Sequence, residues 1–268
     1  SGPAVYQRKI HIPAEWDGKS VILFLERTRK TRVWVDEAPI GSGQQKSYTT
    51  PHVYDLTGFV QAGAVHTLTV EVDNSPEGLP EAMYTTFEKD FPWGHMVSEH
   101  TQTNWNGILG EMKLTALPEV YIADLQIRPD TDRRTACVRA RIRRGGNQGA
   151  LDGVIELRAS SYNNEKMSHA PAAQKFDFHL ADGQEETELA LDYQMGEGVL
   201  LWDEFSPTLY RMTAEVRWDK EGDTGCFTAE ESFGMRKFEA LYLEDGGKQF
   251  AVNGRPVQLR GEISCAVF

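Results

Sequence analysis

An all-β fold built of stacked sandwiches follows from three observations on this 268-residue sequence. Short runs of alternating apolar and polar residues recur along it. Gly, Pro, Asn and Asp punctuate those runs, and no long stretch keeps the 3.6-residue period of an amphipathic helix. A strand sends successive side chains to opposite faces, so an alternating run can bury one face and leave the other wet. Many short runs separated by turn residues are the pattern of sandwiches and barrels.

The elements follow in order. SVILFLERT (20–28) and RVWVD (32–36) are short β-rich runs, the second expected to end in a turn before Gly41-Ser42-Gly43. HTLTVEVDN (66–74) sets Leu68, Val70 and Val72 on one face and Thr67, Thr69 and Glu71 on the other. A boundary falls near Pro118, where NWNGILGEMKLTALPEV ends one set of strands and YIADLQIRPD begins another. In the basic stretch from Arg133 to Arg144, Arg139, Arg141 and Arg143 alternate with Val138, Ala140 and Ile142, which reads as a half-buried strand with a solvated face. RMTAEVRWD (211–219) alternates Met212, Ala214, Val216 and Trp218 with polar residues. A second boundary falls near FGMRKFEAL, so each sandwich holds roughly 115 residues, enough for its own core. In the closing KQFAVNGRPVQLRGEISCAVF, Phe250 and Val252 alternate with Gln249 and Ala251, and Asn253-Gly254 is a hairpin-turn dipeptide. Leu259 to Phe268 then reads as a buried strand in need of neighbours.

Composition narrows the function. Hydrophobic residues make up 40% and charged residues 25%, as in a folded globular protein rather than a disordered one. No run approaches the length of a membrane span. There is no signal-peptide pattern and no initiator Met, and Ser1-Gly2 reads as a cleavage scar or internal cut. A net charge of −12 disfavours nucleic acid as a partner. Cys137, Cys226 and Cys265 are too few for a disulfide framework or a zinc site; a Cys137–Cys226 bridge and free thiols both stay open. His95 and Glu99-His100 do not make a His-Glu-x-x-His metal motif, and no phosphate loop or nucleophile elbow occurs, so no cofactor or metal is expected.

Four stretches, in order, resemble the family 2 glycoside hydrolases, which include β-galactosidases, β-glucuronidases and β-mannosidases. They are AVYQRKIHIPAEWDGKSVILFLERTRKTRVWVDEAPIG, HVYDLTGFVQAGAVHTLTVEVDN, LLWDEFSPTLYRMTAEV and FGMRKFEALYLEDGGKQFAVNGRPVQLRG. The resemblance implies a jelly-roll sugar-binding-type domain over 1–118, an immunoglobulin-like β-sandwich over 119–235, and a linker hairpin with the first strand of a truncated (β/α)8 barrel over 236–268. It also implies a parent that cleaves terminal β-linked sugars with retention, which needs two carboxyl groups about 5–5.5 Å apart at barrel strand ends. The resemblance places both beyond Phe268, so no catalytic residue is expected here. Its bacterial members are often exported, a lean toward periplasm or secretion. The rival readings are a free-standing carbohydrate-binding or adhesion module, and purely structural domains whose sandwich faces form a homo-oligomer.

The segment best suited to carbohydrate is FPWGHMVSEHTQTNWNGILG, residues 91–110. Trp93 and Trp105 offer flat faces to a pyranose, Gln102, Asn104 and Asn106 can donate and accept at once, and His100 adds a titratable donor. A structural role, with Asn106-Gly107 as a turn and Trp105 in the core, is the competing expectation. Asp73-Asn74 closes a strand at the same end, with Asx-turn capping favoured over sugar contact. Arg260 stands in the Leu-Arg-Gly that resembles the family's barrel entry, where it could brace active-site carboxylates.

Overall fold

The computed structural model describes residues 2–47, 50–75, 106–145, 149–220, 223–242 and 246–261, and none of these lies in an α-helix. The strands fall into two units divided between Leu117 and Pro118. No helix among the described residues is long and apolar enough to cross a membrane.

The first unit holds β1 (Pro3–His11), β2 (Ser20–Leu25), β3 (Lys30–Val35), β4 (Ala38–Gln45), β5 (His52–Asp55), β6 (Val65–Asp73) and β7 (Met112–Leu117). They form two antiparallel sheets, β1-β6-β3-β4 and β5-β2-β7. Alternation explains the register: Val33 and Val35 pair with Val70 and Leu68, so four apolar side chains share one face. That face meets Val21, Leu23 and Leu25 from β2 and Tyr54 from β5 in a single apolar cluster.

Two turns of this unit are built from polar atoms. The β3–β4 hairpin turns at Asp36, whose φ of +53° is left-handed and is held by exchanged backbone and side-chain bonds with Thr67. His66 donates from Nδ1 to Asp36 Oδ2 at 2.8 Å, and its Nε2 accepts from the Gln61 amide. The His66 bond, with the Thr67 amide, holds the Asp36 carboxyl below the ordinary carboxylate range. The β3–β4 turn is the one expected before Gly41-Ser42-Gly43, and the Gly-Ser-Gly stretch itself forms a bulge inside β4. Ile40 pairs with Val33 and Gln45 with Thr31, so residues 41–44 face Arg32 alone. Gly41 and Gly43, at φ of +75° and +147°, supply backbone conformations that side-chain-bearing residues resist.

Inside the same sandwich, a polar chain crosses the core. Thr31 Oγ1 bonds His52 Nδ1 and lies 2.8 Å from the Tyr54 hydroxyl, which donates to the Thr31 carbonyl. His52 Nε2 donates to the Ser47 carbonyl, so the ring needs a single proton to satisfy both neighbours. Burial pushes the His52 imidazole below its ordinary value, outweighing the Ser47 carbonyl.

The second unit begins with β8 (Val120–Asp130), β9 (Thr135–Arg144), β10 (Leu151–Ser161), β11 (Gln174–Leu180), β12 (Glu186–Gln194), β13 (Tyr210–Lys220) and β14 (Asp223–Phe233). Its sheets are β12-β9-β8 and β11-β10-β13-β14. Val138, Ala140 and Ile142 point into the core, while the alternating arginines point out. That outer face is neutralised along β12: Arg139 pairs with Glu188 at 2.7 Å, Arg143 with Glu186, and Arg133 with Asp192. Exposed pairs of this kind contribute about 0–1 kcal/mol each, so the ladder blunts charge more than it stabilises. Two buried tyrosines are satisfied through their hydroxyls, Tyr193 by the Ala159 amide and Tyr210 by the Leu200 amide and His169 Nδ1. Cys137 and Cys226 are free thiols; Cys265 lies outside the described residues.

After this sandwich, β15 (Phe238–Tyr242), β16 (Lys248–Val252) and β17 (Arg255–Pro256) make a small antiparallel sheet. Asn253 and Gly254, both at positive φ, form the expected two-residue turn. The expected alternation of β16 is corrected: Ala251 and Val252 are both buried, and Phe250 is half exposed. Val257 donates its amide to the Phe250 carbonyl at 2.8 Å, but residues 258–261 lie in no strand and Leu259 is exposed, so the described start of the expected barrel strand is irregular. The rest of it, 262–268, lies outside the described residues.

Two tests follow from packing and charge. Gly225 lies beneath the Trp218 ring, where a Cβ would come within 2.1 Å of a ring carbon. Gly225→Ala is expected to cost about 1–3 kcal/mol of stability, read from urea unfolding. His52 binds its proton less readily folded than unfolded, so its contribution is complete above pH about 6.5 and declines as the pH falls below it. His52→Gln should flatten that acid-side loss in unfolding midpoints measured between pH 7.5 and pH 5, values chosen to bracket roughly the ordinary imidazole pKa.

Candidate functional site

The predicted site residues that the structure describes gather at one end of the first sandwich, except Arg260. β6 ends at Asp73, directly across the ladder from Lys30 at the start of β3. Lys30 is only 1% exposed, and its Nζ sits 3.0 Å from Asp73 Oδ2 and donates to Ser75 Oγ at 2.9 Å. Ser75 in turn donates its amide to Asp73 Oδ1 and its hydroxyl to Oδ2, both at 2.8 Å. The first of these closes an Asx turn. Burial alone would raise the Asp73 carboxyl, but the Ser75 amide, Lys30 and the Ser75 hydroxyl together hold it below the ordinary range. Asp73 is therefore a fixed anion rather than a proton shuttle.

Asn74 is buried and accepts the Gly2 amide at 2.9 Å, tying the start of the chain to the end of β6. Asn106 completes the junction. Its Nδ2 donates to the Gly2 carbonyl at 3.0 Å and to the Val72 carbonyl at 3.3 Å. Gly107 follows at φ +101°, where a Cβ would meet the Tyr6 hydroxyl at 2.9 Å, and its carbonyl accepts from Thr28 Oγ1. Residue 106 thus lies against residue 72, although the chain between them runs through 76–105. His100, Gln102, Asn104 and Trp105, with Trp93, fall in that span, outside the described residues. Arg260 is exposed on the irregular segment after β17 and belongs to the other unit.

Asp73, Asn74 and Asn106 are thus brought together, with their polar atoms turned onto the protein's own backbone and onto Lys30. Sequence reasoning missed Lys30 and its buried neighbour Arg29. Nothing local in Arg27–Thr28–Arg29–Lys30 distinguishes one cation from the next; only the β3–β6 register, which sets Lys30 opposite Asp73, singles one out. No cluster of three or more His, Cys, Asp or Glu side chains able to hold a metal occurs among the described residues.

Comparison with known proteins adds four matches. Residues 120–236 match the family model for glycosyl hydrolases family 2. A curated β-galactosidase large subunit from Latilactobacillus sakei is 24% identical over 249 residues, covering 90% of this chain and 33% of that protein. Among solved structures, Bacteroides uniformis β-glucuronidase 2, covalently bound to cyclophellitol-6-carboxylate aziridine, superposes with a TM-score of 0.75 at 20% identity over 97% of this chain and 29% of its own. A family 2 glycosyl hydrolase from Bacteroides cellulosilyticus gives a TM-score of 0.68 at 20% identity, with 97% and 32% covered. The all-β class and the resemblance to family 2 are both borne out, and the chain spans about a third of the length of these relatives.

The Lys30–Asp73 pair yields a direct test. Lys30→Met should cost about 1–3 kcal/mol, because the partly buried Asp73 loses its cation and keeps only its two Ser75 bonds. Lys30→Met with Asp73→Asn should recover part of that loss in the same urea titrations. The pair's contribution holds above pH about 4 and is lost as the pH falls through the lowered folded value of Asp73, so the double variant should show a shallower acid limb.

Proposed function

We propose, with the family 2 match of residues 120–236 as premise, that this chain is the non-catalytic N-terminal portion of a retaining glycoside hydrolase acting on terminal β-linked sugars. One observation carries the reading: relatives are matched over nine-tenths or more of this chain but only about a third of their own length. The remainder of such a parent is large enough for a (β/α)8 barrel, where the acid/base and nucleophile carboxylates would reside. In this reading the first sandwich is the jelly-roll sugar-binding-type domain over 1–118. The second is the immunoglobulin-like domain over 119–235, and 236–268 lead into the barrel.

The chain's own contribution to the pocket is the segment bearing His100, Gln102, Asn104 and Trp105. Its supports are chemical. Amide side chains match paired sugar hydroxyls, an indole matches the C–H face of a pyranose, and both flanks of the segment are anchored, at Ser75 and at Asn106. Asp73, Asn74 and Asn106 then serve as the frame from which the segment departs. Arg260 supplies a fixed positive charge beside the barrel's carboxylates.

The 268-residue chain should show no turnover of nitrophenyl β-galactoside or β-glucuronide, while the longer parent turns over one such substrate. Activity that survives repurification and scales with the short chain would sink the assignment. A parent reading frame that stops at Phe268 would favour a free-standing carbohydrate-binding module. In the active parent, Gln102→Ala or Asn104→Ala should lower kcat/KM by about tenfold to a hundredfold, or about 1.4–2.8 kcal/mol of transition-state binding. Unchanged kinetics in both variants would return the segment to a structural role.

A further inference from the structure

β9 ends on a residue that its own pattern does not call for. Ala136, Val138, Ala140 and Ile142 face the core of the second sandwich, and the two-residue period carries that face on to Arg144. Arg144 is only 4% exposed and lies directly across the ladder from fully buried Val120. Its backbone is fixed on both sides, because β9 is the central strand of its sheet. The Arg144 amide donates to the Glu185 carbonyl at 2.9 Å, and the Gly145 amide to the Glu119 carbonyl at 2.7 Å. The side chain is different. Nε, Nη1 and Nη2 are all buried, and none has a hydrogen-bond partner among the described residues. Arg139 and Arg143, which solvent reaches, are paired with Glu188 and Glu186.

A buried cation has three ways to lower its cost. A lysine or histidine can shed its proton, but a guanidinium keeps its charge far above neutral pH. A carboxylate can meet it, as Asp73 meets Lys30, yet no described carboxylate is hydrogen-bonded to Arg144. The third way is a bound counter-ion. Water would satisfy the donors and leave the charge itself uncompensated.

We propose that Arg144 binds a small oxyanion at this end of the second sandwich. The guanidinium fork presents parallel N–H donors, which match two oxygens of one carboxylate, phosphate or sulfate group better than a spherical ion. Enclosure limits the ligand to a few atoms. The chain carries a net charge of −12, so no general field gathers anions and binding must come from these local donors. The site is independent of the function proposed above.

The 268-residue chain can be titrated with formate, phosphate or sulfate, each at fixed ionic strength against chloride. The Arg144 Nε–H resonance, assigned by its loss in Arg144→Lys, should shift saturably with at least one of these oxyanions and not with chloride. At about a hundredfold excess over its dissociation constant, that anion should raise the wild-type urea midpoint by about 1 M and leave Arg144→Met unmoved. In chloride alone, Arg144→Met should unfold at a urea concentration no lower than wild type, since an apolar side chain replaces an uncompensated charge. Arg144→Lys keeps the charge without the fork and should bind the anion about tenfold more weakly or worse. No saturable shift, or a midpoint rise shared by wild type and Arg144→Met, would overturn the site in favour of a general salt effect. A shift driven equally by chloride, or equal binding by Arg144→Lys, would overturn the oxyanion class. An Arg144→Met that unfolds earlier than wild type in chloride would mean that the protein itself already compensates Arg144, and would overturn the site as well.

Discussion

The buried ion pair between Lys30 and Asp73 is the constraint on which the first sandwich depends. It sits where β3 begins and β6 ends, and the two residues face each other in the ladder. A buried ammonium is tolerated only where a carboxylate and further acceptors meet it, and Ser75 supplies the additional oxygen. A one-residue slip between β3 and β6 would send Val33 and Val70 to solvent and separate these charges at the same time. Apolar pattern and ion pair therefore specify the same register by independent means. Gly2, Asn74 and Asn106 then build on the strand end so defined.

The second sandwich reaches a single register differently. Its charges lie outside, along the arginines of β9 and the acids of β12, where solvent weakens each pair. Its interior depends on shape: the rings of Phe178 and Trp218 lie over Gly153 and Gly225, filling space that any other residue would occupy with its own side chain. The tyrosines add directional bonds near the end of β10, Tyr193 toward Ala159 and Tyr210, opposite Ser161, toward Leu200 and His169. One unit is thus pinned by a polar junction, the other by packing around glycine.

Alternation made the strands legible, because period two is a local property that a nine-residue run already displays, as β6 does. The Asn253-Gly254 turn was legible for the same reason, since its two left-handed residues carry their own signature. The bulge at 41–44 was not: Gly-Ser-Gly suits a turn and a bulge equally, and only the pairing of Ile40 and Gln45 with β3 decides. Lys30 escaped notice because burial of a lysine depends on what lies across the sheet 43 positions later in the chain, at Asp73. Of the candidate site, the frame residues Asp73, Asn74 and Asn106 could be named from sequence; that their polar atoms turn inward could not, since the partners Gly2 and Val72 give no chemical signal of their own.

The contact between Asn106 and Val72 has an architectural consequence. The bonds that join the two strand ends here, from Asn106 to Val72 and to Gly2 and from Gly2 to Asn74, are made by residues on either side of 76–105. The entropy of closing such an excursion grows only slowly with its length, by about 0.6 kcal/mol per doubling. The described ladder bonds of β6 and β7 therefore place little demand on how many residues join them. Sequence can diversify between two such fixed ends while the described strands stay constant, as a socket keeps its shape whatever it receives.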